Sequence, residues 1–71
     1  MRIRVTGFPK ITSKEELKRI FSKFGTVEEI QTDGNKAYIK MPYEYQRQKA
    51  IRALDGTKIL GKLIIVEECF L

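Results

Sequence analysis

Histidine and tryptophan are missing from this chain, and a single cysteine, Cys69, stands near its end. One thiol cannot form an internal disulfide, so a secreted, disulfide-stapled framework is excluded and a reducing compartment is the simplest home. Without histidine or a cysteine pair, the usual zinc ligands and the commonest general base are gone, which argues against metal and acid–base chemistry. No long apolar run follows the charged start Met1-Arg2-Ile3-Arg4, so neither a signal peptide nor a membrane span is expected. Repeats, low-complexity stretches and flexible linkers are absent as well.

What remains is a small basic chain. Its 71 residues form one domain, and at that size roughly 60% of the unfolded surface is buried on folding, enough for one thin core and no enclosed active site. Hydrophobic residues at 42% can supply that core, while 14 Lys and Arg against 9 Asp and Glu leave a net charge of +5. A polyanionic partner fits that excess, as does a basic surface kept only for solubility.

Periodicity divides the chain into six segments. Ile3 and Val5 alternate with Arg2, Arg4 and Thr6 in a first strand that ends at the turn formers Gly7 and Pro9. Ser13 and Glu16 then read as a capping box, with Leu17, Ile20, Phe21 and Phe24 on one helical face and Gly25 as the C-terminal cap. A strand over 27–32 with Ile30 inward leads through Asp33-Gly34 into a third strand, where Ala37, Ile39 and Met41 face one way and Lys36, Tyr38 and Lys40 the other. Ala50, Ile51 and Leu54 restore helical spacing over 43–54, Asp55-Gly56 makes the exit, and residues 63–68 form a last strand. This order predicts an α+β domain of the ferredoxin-like split βαβ type (βαββαβ), a four-stranded antiparallel sheet with two helices on one face and the other bare.

From about Arg2 to Cys69 the chain resembles the RNA recognition motif family. Ile3-Arg4-Val5-Thr6-Gly7-Phe8 stands in the place of the family's six-residue motif and Gly34 to Met41 in that of its eight-residue motif. Phe21 to Val27 is similar to the exit of the first helix, and Ala50 to Gly56 followed by Leu60 to Val66 to the second helix and last strand. The resemblance implies a single-stranded RNA-binding module within RNA processing or ribonucleoprotein assembly, without cofactor or catalytic role. It also implies an intracellular setting, the nucleus before the cytoplasm, and residues 1–71 as one domain of a longer protein, monomeric or one of several in tandem.

Typical members carry an aromatic at the second position of the hexamer and at the third and fifth of the octamer, where this chain has Arg4, Lys36 and Tyr38. One stacking ring therefore remains, flanked by cations that attract phosphate and, for Arg4, offer a stackable plane. On this basis RNA binding falls to Tyr38, Arg4, Lys36, Lys40, Arg2, Gln31 and Ile65. Each has a plainer reading as a solvated strand residue; Glu29 beside them would repel phosphate, and Glu67 and Glu68 limit the positive surface on the opposite edge. The hairpin at Asp33-Gly34-Asn35 is too short to wrap around RNA.

Leu63 and Ile65 point outward if Ile64 and Val66 face the core. That apolar edge leaves open bases, a partner protein or the tail Phe70-Leu71 as its cover, so a protein-interaction domain that kept the fold is the alternative function. Arg47 lies where the family has a small residue against the sheet, which leaves adjustment of Tyr43 and Ala50 or outward snorkelling of its charge. Phe8, Phe21 and Phe24 belong to the core or its rim, and Cys69 is a small hydrophobe.

Overall fold

The computed structural model describes residues 1–70. Strand β1 spans Arg2–Thr6, helix α1 Lys14–Ser22, β2 Glu29–Asp33, β3 Lys36–Lys40, α2 Glu44–Leu54, β4 Lys58–Ile59, β5 Lys62–Leu63 and β6 Ile65–Cys69. Four strands form an antiparallel sheet in the order β2-β3-β1-β6. Alternation decides its two faces: Ile3, Val5, Ala37, Ile39 and Val66 are buried against Leu17 and Phe21 of α1 and Ala50 of α2, while the intervening residues face away from the helices. This is the βαββαβ layout that the segment order implies.

Local chemistry accounts for the element boundaries. The Ser13 side chain accepts a hydrogen bond from the Glu16 backbone N–H at 3.1 Å, covering one of the unpaired donors at the start of α1. The helix ends sooner than the spacing suggests, with Lys23 as its cap and Arg19 as the cation of its last turn. Gly25 is thus not the cap. A Cβ on Gly25 would collide with the side chain of Gln46 on α2, including its Cβ, while Gln46 Oε1 accepts the Thr26 N–H at 2.8 Å. Close approach of the segment after α1 to Gln46 of α2, rather than helix termination, is what requires a glycine there.

In the β2–β3 hairpin Asp33 pairs with Lys36, leaving the two-residue loop Gly34-Asn35. The φ of 64° at Gly34, first of the two, suits a turn whose twist matches that of the strands. The single last strand expected over 63–68 is in fact two pieces. Residues 58–63 fold into a small separate hairpin, β4–β5, turning through Leu60 at φ 49° and Gly61, and β6 follows after Ile64. A left-handed leucine is an uncommon turn residue, so the motif escapes a reading based on turn formers. Asp55 ties this region down, its carboxylate accepting the Val66 N–H at 2.9 Å.

Arg47 does not snorkel outward. Its side chain is buried on α2, where Nε donates to Glu68 Oε1 at 2.8 Å and Nη1 to the Met41 carbonyl at 2.7 Å. The charge stays inside because the inward-facing Glu68 of β6 compensates it there.

Candidate nucleic-acid interface

The open sheet face is organised in cross-strand rows. Gln31, Tyr38, Arg4 and Glu67 make the central row; Glu29, Lys40, Arg2 and Cys69 flank it on one side, and Asp33, Lys36, Thr6 and Ile65 on the other. Six of the seven residues singled out from the sequence are therefore mutual neighbours within two strand pairings, and Ile65 closes the row of Lys36 on the far strand. Tyr38 is partly exposed at the centre, whereas Lys36, Lys40, Gln31 and Ile65 are exposed. The one ring is thus presented on rigid strands, surrounded by polar and charged groups rather than by other aromatics.

Acids neutralise much of the positive charge on this surface. Arg4 donates through Nε at 3.1 Å and Nη2 at 2.6 Å, both to Glu67 Oε1. This hydrogen bond, then the negative charge of Glu67, raise the guanidinium above its ordinary value and keep it protonated. Arg2 pairs with Glu29 at 3.1 Å, and Lys40 lies 3.9 Å from Glu28. Lys36 makes no ion pair among the described residues. Exposed pairs of this kind contribute roughly 0–1 kcal/mol each, so at the single-contact pairs Arg2–Glu29 and Lys40–Glu28 an incoming phosphate can take over the cation at small cost. The alternation of the sequence shows which residues share this face. The partnership of Arg4 with Glu67, 63 positions apart, depends on strand order and is invisible to periodicity.

The expected apolar edge is divided between two sheets, with Leu63 in β5 and Ile65 in β6. Ile64 and Val66 are buried, leaving Leu63 and Ile65 63% and 57% exposed. Phe70 does not cover that edge, being itself 78% exposed, and Leu71 lies outside the described residues. Cys69 shares the open face by register yet is buried, and it carries a free thiol. Among the described residues no cluster of His, Cys, Asp or Glu is arranged to hold a metal ion, and no helix is long and apolar enough to cross a membrane.

Fold and motif register define the class as a ferredoxin-like βαββαβ domain, and the profile of the RNA recognition motif family matches residues 3–65. The chain belongs to the RNA recognition motif family. Its fold is similar to that of the RRM domain of S. pombe Puf1, with a TM-score of 0.91 at 21% identity, covering 97% of this chain and 96% of that one. The Nab3 RRM, whose structure concerns recognition of cis elements in non-polyadenylated RNAs, aligns with a TM-score of 0.89 at 27% identity over 99% of this chain and 95% of its own. The Rna15 RRM with bound RNA (GU) aligns with a TM-score of 0.86 at 17% identity, covering 99% of this chain and 83% of that chain.

Proposed function

We propose that this domain binds single-stranded RNA on its open sheet face, with one base stacked on Tyr38 and phosphates attracted by Lys36, Lys40 and Arg2. The central position of Tyr38, on β3 between Gln31 and Arg4, carries this reading. Family membership supports it, as does the Nab3 RRM, the neighbour concerned with RNA elements. Arg4 and Gln31 engage base edges in this account, and Ile65 offers a base an apolar rest. The work lies in RNA processing or ribonucleoprotein assembly, most naturally in the nucleus. A single ring gives modest affinity, so the domain acts as one module of a longer protein, where neighbouring modules raise its effective concentration.

Charge sets the salt response. If about two to three phosphates are engaged, log K falls with log salt at a slope near −2, and affinity drops roughly tenfold between about 50 and 200 mM salt. Fluorescence anisotropy on a labelled single-stranded oligonucleotide checks this. A flat salt response would show that the cations of the face do not meet phosphate.

The exposed Leu63 and Ile65 favour a second reading, in which this edge binds a protein. Under that reading Leu63→Asp abolishes recovery of the partner and leaves RNA binding unchanged.

A further inference from the structure

The Arg4–Glu67 pair has a feature that simple charge neutralisation does not require. Both Arg4 hydrogen bonds fall on Oε1, so Glu67 Oε2 and Arg4 Nη1 make no hydrogen bond among the described residues. The two side chains are 47% and 41% exposed, on the surface next to Tyr38. A solvent-facing acceptor thus stands beside a solvent-facing donor, the two held together by the shared Oε1 contact. Glu67 lies two strands from Tyr38, roughly 10 Å at ordinary strand spacing, so a base stacked on the ring with its edge toward β1 reaches over Arg4 toward Glu67.

We infer that the Arg4–Glu67 pair reads the Watson–Crick edge of guanine, making Glu67 a specificity-determining residue of the RNA site. This rests on the RNA-binding reading above and deepens it. An ionised carboxylate only accepts hydrogen bonds, and guanidinium only donates. Guanine alone among the four RNA bases presents an acceptor, O6, followed by two donors, N1–H and N2–H. O6 accepts from Arg4, and the two donors converge on the Glu67 carboxylate. Uracil has a second acceptor where guanine has its second donor, and adenine and cytosine place an amino group where the keto oxygen is needed. Phosphate is repelled at the same point, which keeps the RNA backbone on the β2–β3 side, where Lys36 and Lys40 lie. The side chains that read bases in single-stranded RNA do so on these edges.

The test measures binding of four five-nucleotide RNAs, uridine at every position except the centre, which is G, A, C or U, to the parent domain, Glu67→Gln and Tyr38→Ala. Loss of well-placed hydrogen bonds to a base is worth roughly tenfold in discrimination. The parent is therefore expected to favour the G oligonucleotide by that factor, and Glu67→Gln to bring all four within about twofold by weakening the G complex. The alternative, in which Glu67 merely neutralises Arg4, predicts that Glu67→Gln tightens all four RNAs alike, and that result overturns the inference while leaving RNA binding intact. Equal affinity of the parent for all four overturns it as well. If no oligonucleotide binds the parent, or if Tyr38→Ala has no effect on any of them, the RNA-binding reading itself fails and the inference with it. Circular dichroism on each variant separates loss of binding from loss of fold.

Discussion

Replacing Tyr38 by alanine is expected to weaken single-stranded RNA binding by roughly tenfold to a hundredfold, because a base–aromatic stack contributes about 1–3 kcal/mol. The expectation is large here because of what the face lacks. Where related domains distribute stacking over three rings, this one has Arg4 and Lys36 in two of the places, and a lost ring has no aromatic neighbour to take over. Tyr38→Phe keeps the stacking surface and should bind within about threefold of the parent, since only the hydroxyl is lost. The fold should survive both changes, as Tyr38 is partly exposed and outside the buried cluster. Binding by Tyr38→Ala at parental affinity would remove the ring from the interface.

The largest effect on stability is expected at Arg47. Truncation to alanine leaves Glu68 without its cation and the Met41 carbonyl without its donor, both on the helix-covered side of the sheet. Breaking such a buried pair from one side costs about 3 kcal/mol. For a domain this small that lowers the unfolding midpoint by roughly 15 °C. The reason is asymmetric: burying two compensated charges adds little net stability, whereas burying one alone is strongly unfavourable. Joint replacement, Arg47→Met with Glu68→Met, should therefore recover part of the loss, the Met41 carbonyl remaining unpaired. Thermal unfolding of the two variants decides this. A double variant less stable than Arg47→Ala would show that the pair itself, and not the orphaned carboxylate, is the source of stability.

Arg47 also marks where sequence reasoning stops. The fold was legible because several independent signals agree: Ser13 ahead of a helical apolar stripe, Asp33-Gly34 between two alternating segments, and Ala50 with Ile51 and Leu54 on a second helix. A buried arginine breaks that pattern, and the acid compensating it sits 21 residues away, off the helix and on strand β6. Helical spacing can show that position 47 faces inward but not what waits there. The β4–β5 hairpin was missed for a different reason, since its turn uses Leu60 in a conformation usually left to glycine or asparagine.

The binding face divides along the same line. Alternation brings Arg2, Arg4, Lys36, Tyr38 and Lys40 to one surface, because side-chain direction along a strand has period two. The neighbours across strands follow from the order β2-β3-β1-β6, which is set by tertiary packing. Glu67, read from the sequence as a mere limit on positive charge, is thereby brought against Arg4 at 2.6 Å in the central row. The result is a face less positive than its cations suggest, since acids pair with Arg2, Arg4 and Lys40.

The most direct test of the central claim is a titration of the domain with a short single-stranded RNA at low salt, following every backbone amide by nuclear magnetic resonance. Shifts concentrated in β1 and β3, greatest around Arg4 and Tyr38 and small on the solvent faces of α1 and α2, are the predicted result. Shifts confined to the helices, or none on the first and third strands, would contradict it.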